Sequence, residues 1–315
     1  MKYFPNGDEE KELIKFVAQY QYLNVNDEKY FFSSRKYYKE RIKKLIDKKY
    51  LRRNKLNLVL GTWGKEYAKS FEWVYNKTNT NQKYKERLIR LSHLGAFYHN
   101  CETVKFTPSF AVKDKESFTI IGRRYMGVLN YEGIKYLAYQ ITKDHNRQYI
   151  SSLLFDIQKE VQHTNFVVLV HDMKVKDKYD FGFGHNHMLI VEDTEENREK
   201  LKYIHRIRWL DIIKDYYDGK VYMSSYNFCD YMDYDKKFVS TFYMYDQEKV
   251  NRIRGFLDVN ENRQADIICS SELVGKLRKE IPEANYCIVN FEKYIRKHIR
   301  YYYVNDCDKE NSDSD

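Results

Sequence analysis

The stretch SRKYYKERIKKLIDKKYLRRNKLNLVLGTWGKEY, residues 34–67, constrains this chain more than any other. Its first half predicts a helix over residues 34–48, with Tyr38, Ile42, Leu45 and Ile46 on one face and Arg35, Lys36, Lys39 and Lys43 on the other. Ser33 or Ser34 can cap that helix by accepting a bond from its free amides. YLRR and LNLVL then read as two short strands of a hairpin turning at Asn54-Lys55, and residues 61–75 return to helical character. Upstream, residues 8–20 (DEEKELIKFVAQY) place Leu13, Ile14, Val17 and Tyr20 at helical spacing, and a second, short helix closes at Tyr30, Phe31 and Phe32.

Helix, short helix, capped basic helix, hairpin and helix, in that order, predict a winged helix-turn-helix over residues 1–75. In such a unit the second helix enters the major groove and its N-terminal residues reach base edges. Those positions are Ser34, Arg35, Lys36 and Tyr37, with Lys39, Glu40 and Lys43 further along. Arg and Lys can donate to guanine O6 and N7, and Glu can accept from cytosine N4. Arg52, Arg53, Asn54 and Lys55, on the wing, are expected near phosphates or the minor groove, where they position more than they read. Charge favours this over a protein-interaction module whose charged helix is merely solvated. The whole chain carries +9, but residues 1–90 hold 22 Lys/Arg against 11 Asp/Glu and the remainder 33 against 35. Segment 35–55 alone holds 11 basic and 2 acidic residues, a density that repels itself without an anionic partner. The 31 tyrosines and many lysines match the codon footprint of an A+T-rich genome, which explains abundance but not this placement.

Residues 76–95 read as a polar, basic linker or helical spacer. An α/β domain with a mixed sheet is expected over 96–304, because strand-like runs (118–129, 135–142, 166–172, 187–193, 238–245, 265–270, 284–291) alternate with helical ones (147–162, 194–216, 271–281). The acidic tail 305–315 is expected to be disordered. The fold class is therefore α+β, and no internal repeat is visible. The opening residues run into acids rather than an apolar segment, which predicts no signal peptide. Five scattered cysteines without a CxxC pair exclude a disulfide framework and a zinc ribbon, and suit a reducing cytoplasm.

Two further patterns touch on chemistry. GFGHNHMLIVED (182–193) resembles the metal-binding His pair of HUH nickases, with His185 and His187 on one side of a strand and Tyr216 or Tyr217 as a nucleophile. Asn186 stands where a bulky apolar residue is usual, and a loop entering a strand explains the pair better. The hairpin RRYMGVLNYEGIKYLAYQITKD (123–144) has the outline of a restriction-endonuclease-like core. Its acid-x-Lys slot, however, reads Gln140-Ile141-Thr142, and no Asp falls between Gly127 and Asn130. Without carboxylates such a site holds no cation to activate water, so the expectation is a degenerate copy without cleavage chemistry. There is no P-loop and no GxGxxG, so no nucleotide cofactor is expected; neither a metal nor a catalytic residue is assigned.

The motif YYKERIKKLIDKKYLRR…LVLGTWGKEY, with weaker continuation through KYLAYQITKD, YISSLLFDIQKE and MLIVEDTEENREKL, resembles the replication-relaxation family of bacterial plasmids and mobile elements. The likeness is concentrated in residues 10–70 and implies a DNA-binding protein of plasmid replication, relaxation or transfer. Many members carry an acid where this chain has Gln140, a departure that speaks against cleavage. The partners implied are double-stranded DNA, replication or transfer proteins and, as in many helix-turn-helix proteins, a second copy of the chain; no membrane is involved. The alternatives are a metal-dependent HUH-type nickase and a transcriptional regulator with a winged helix and a sensor domain.

Overall fold

Asp8–Tyr20 forms helix α1, as its spacing predicts, and buries Leu13, Ile14, Phe16 and Val17. The structure is a computed structural model that describes residues 5, 7–34, 36–73, 81–112, 124–160, 164–181, 184–218, 220–226, 229–234, 237–260 and 264–295. The chain is α+β and divides into two compact units, residues 1–194 with 246–248, and residues 195–245 with 249–315.

In the first unit, α1 is followed by the two-residue strand β1 (Leu23–Asn24), a 3₁₀ turn (Glu28–Phe31), α2 (Tyr38–Asp47), strands β2 (Leu51–Asn54) and β3 (Asn57–Leu60), and α3 (Thr62–Ser70). The strands form a small antiparallel sheet in the order β1-β3-β2. Ile42 and Leu45 of α2, Leu51 of β2, Leu58 of β3 and Ala68 of α3 are fully buried, with β3 and α3 packed against α1. Helix α2 begins at Tyr38, not at the predicted residue 34. Ser33 turns to Glu9 instead, its amide (2.7 Å to Oε1) and its side chain both bonding that carboxylate, and Tyr37 precedes the helix without a side-chain cap.

Helix α4 (Gln82–Phe97) occupies most of the predicted linker. Its first half is polar, which reads as a spacer, but Leu88, Leu91, Leu94 and Phe97 are buried against α1, β1 and the next strand, β4 (Lys105–Pro108). The division between the two compact units falls after Thr194. Strand β4 begins a five-stranded sheet completed by β5 (Gly127–Tyr131), β6 (Ile134–Ile141), β7 (Asn165–Val170) and β8 (His187–Glu192). Helices α5 (Arg147–Lys159) and the single-turn α6 (Val175–Lys178) connect the last three strands. β4, β5 and β6 are antiparallel neighbours, whereas β7 and β8 run parallel to β6.

The second unit contains α7 (Glu195–Leu201), α8 (Trp209–Tyr217), β9 (Val221–Met223), β10 (Tyr231–Asp233), β11 (Phe238–Phe242), α9 (Gln247–Val259), β12 (Ala265–Cys269), α10 (Ser271–Glu280) and β13 (Asn285–Ile288). The helix predicted over 194–216 is two helices, because Ile207 bridges to Ile295 and the Arg208 amide donates to the Tyr294 carbonyl (2.9 Å). Its sheet has the order β13-β12-β11-β10-β9, with β9, β10 and β11 antiparallel and β12 and β13 parallel to β11. Both sheets thus follow one scheme, three antiparallel strands in sequence and then two parallel strands, each reached through a helix. The repetition lies in topology and leaves no trace in the sequence. Among the described residues no helix is long and apolar enough to cross a membrane.

Candidate nucleic-acid interface

The junction between α2, the hairpin and α3 is set by two glycines. Lys49 adopts a left-handed conformation (φ 60°) just after α2 and turns the chain into β2. Its carbonyl accepts from the Trp63 amide (3.1 Å), and the Tyr50 carbonyl accepts from Gly61 (2.9 Å), which pins the start of α3 to the end of α2. A β-carbon at Gly61 would stand 2.1 Å from the Lys49 oxygen, and one at Gly64 2.0 Å from the Tyr50 oxygen. Only glycine permits that approach. The GTWG signal in the sequence is thereby a packing requirement that fixes the hairpin relative to the basic helix.

On this frame the cationic side chains are laid out in the open. Lys39, Lys43 and Lys44 on α2, Lys48 and Lys49 at its end, and Arg52, Arg53 and Lys55 on the hairpin are all exposed, while Asn54 is half-buried. Lys55 occupies the turn with φ 55°. Ser34, Lys36 and Tyr37 are exposed but precede α2, so they belong to the approach to the helix and not to its first turn. The Lys36 ammonium lies 5.5 Å from the centre of the Tyr37 ring. Arg35 lies outside the described residues.

Two residues that the sequence leaves unremarked shape the charge. Arg41 sits in the middle of the basic helix yet ion-pairs with Glu9 and with Glu10 (3.0 Å) of α1, and covers the Phe32 ring at 4.8 Å. It anchors α2 to the core. Glu28, in the 3₁₀ turn, is almost wholly buried, and its carboxylate lies 3.5 Å from the Arg53 guanidinium on the hairpin. Burial pushes that carboxyl up to about 7, although Arg53 and Lys39 pull it back. At the tip of the hairpin Leu56 is 68% exposed, and Trp63 at the start of α3 is 49% exposed. Neither had a periodic signal, because loop tips and first turns fall outside a helical or alternating pattern.

The other sequence candidates do not converge. His187 opens β8 and its Nδ1 meets Asp246 Oδ2 at 2.7 Å, whereas His185 is buried edge-on against Phe166. Asp246 also accepts from the Met188 amide (3.0 Å), so it fastens the start of the strand. Tyr217 donates its hydroxyl to Asp266 (3.1 Å). In the acid-x-Lys slot, Gln140 is buried in β6 and donates to Asp193 (2.7 Å), and the Thr142 amide donates to His145 Nδ1 (3.2 Å). Among the described residues no three His, Cys, Asp or Glu side chains gather as they would around a metal ion.

Among the described residues of the first unit, Lys39, Lys43, Lys44, Lys48, Lys49, Arg52, Arg53 and Lys55 thus form an exposed basic strip. Comparison with family models, with curated proteins and with solved structures finds no match to this chain.

Proposed function

We propose that the N-terminal part of the chain is a winged helix-turn-helix that binds double-stranded DNA, with α2 entering the major groove and the β2–β3 hairpin resting on the backbone as the wing. One observation carries the reading. Eight exposed lysines and arginines, from Lys39 to Lys55, project from one helix and the hairpin after it, while Ile42, Leu45, Leu51, Leu58, Val59 and Leu60 of these elements are buried. Such a strip neutralises phosphates and releases counterions. The process served is the replication, relaxation or transfer of a plasmid or mobile element, in keeping with the family resemblance of residues 10–70.

We read the first five-stranded sheet as a degenerate restriction-endonuclease-like core, supported by its strand order and by the helix between β6 and β7. Gln140 and Thr142 leave it without the carboxylate and lysine of a cutting site, so the role given to it is assembly. The test is an electrophoretic shift assay with plasmid-origin duplex and an unrelated duplex of equal length. Binding to both at low salt, with the origin preferred as salt rises, is expected; no binding to either at low salt defeats the reading. Lys55→Ala should weaken both duplexes equally, as loss of a phosphate contact does.

A second reading, a transcriptional regulator whose C-terminal unit senses a ligand, is favoured by a cavity of about 830 Å³ within that unit. Binding confined to a promoter, without effect on plasmid maintenance, would select it.

A further inference from the structure

Ligands of open α/β sheets gather outside the carboxyl ends of parallel strands, where the departing helices leave a crevice. Immediately past the ends of β11, β12 and β13 stand Tyr243, Ser270 and Val289, and all three line the 830 Å³ cavity. At the matching edge of the first sheet Gln140 donates to Asp193 and the Thr142 amide donates to His145 Nδ1.

Two chemistries line the walls. Tyr203, Tyr216, Tyr243 and Phe291 present aromatic surface, and Glu196, Glu199, Glu272 and Glu292 present carboxylates. Lys200 is the one ammonium in the lining and bridges Glu196 (2.8 Å) and Glu272 (2.5 Å). Lys202 pairs with Glu199 (2.6 Å), and Glu292 has no ion pair among the described residues. Among the described residues these four carboxylates therefore meet only the Lys200 and Lys202 ammoniums. Burial first, and then Tyr203 and the carboxylates Glu292, Glu199 and Glu272, push the Tyr243 phenol well above its ordinary range. The carboxylates are spread along the wall, and among the described residues they do not gather as a metal set would. Spread negative charge beside aromatic rings suits an elongated organic cation, whose ammoniums meet carboxylates and whose methylenes lie on the rings.

We propose that this cavity binds a linear diamine or polyamine. The assignment rests on the sensor reading above for its purpose only. The titration that tests it contains no DNA, so its failure and a failure of DNA binding are separate results. The full chain is titrated calorimetrically with spermidine, with putrescine and magnesium chloride as comparators. Saturable one-to-one binding of spermidine is expected. It should weaken roughly tenfold in the Glu272→Gln/Glu292→Gln double variant, and also in Tyr216→Ala, which removes a ring from the wall. Glu292 is exposed, so Glu292→Gln alone serves if the double variant melts early; it should weaken binding in the same direction. No saturation at millimolar spermidine, variants that bind like the parent, or displacement by magnesium at equal concentration would each overturn the proposal.

Discussion

Gly64 is the residue at which the least change should do the most damage. A methyl group there meets the Tyr50 carbonyl at 2.0 Å, backbone against backbone, with no flexible side chain to yield. Gly64→Ala should cost about 1–3 kcal/mol, seen as a lowered thermal midpoint by circular dichroism, with DNA affinity lost in step. Glu28 makes the opposite prediction. Its folded carboxyl titrates at about 7, above the 4.5 of an ordinary glutamate, so the folded state holds the proton more tightly than the unfolded one. Stability contributed by that proton is full below about pH 4.5 and is lost as pH rises through 7. Glu28→Gln should therefore leave the midpoint unchanged at pH 4 and raise it at pH 8. An equal effect at both values would mean that the Arg53 contact, and not burial, governs the group.

At the scale of elements, α2 carries two kinds of base that the sequence does not distinguish. Arg41→Ala should destabilise the fold by about 1–3 kcal/mol, since it strands the buried Glu10 carboxylate. Lys39→Ala and Lys43→Ala should leave stability within about 0.5 kcal/mol and weaken DNA binding instead. Urea melts alongside binding isotherms separate the two. The exposed lysines were legible because helical spacing sorts them away from Ile42 and Leu45. Arg41 was not, because its partners lie 31 and 32 residues away. The same limit explains the element boundaries. β6, β7, β8 and β12 stand out as runs of β-branched and aromatic residues. By contrast, α9 shows only Val250, Ile253 and Leu257 as a buried stripe, among charges and with Gly255 in its midst, too thin a pattern to predict a helix. The three-residue strands β9 and β10 are too short for any period to emerge.

For the whole molecule, sequence order predicted an α+β chain with a basic first third, but not that its two five-stranded sheets share a topology. Strand pairing is set by contacts distant in sequence, and different apolar residues satisfy one scheme equally well. Nor could the cavity be read in advance, since its walls come from α7, α8, the start of α10 and the ends of β11, β12 and β13. Two separable properties are proposed for the molecule, anion binding by a strip before residue 60 and cation binding by a cavity after residue 195. The first is the central claim, and fluorescence anisotropy of a labelled duplex across a salt series tests it most directly. With about six phosphates contacted, the logarithm of the affinity should fall with the logarithm of salt at a slope near −5. The Lys39→Ala/Lys43→Ala variant should flatten that slope by about 2. A slope near zero, or a double variant whose slope matches the parent, would contradict it.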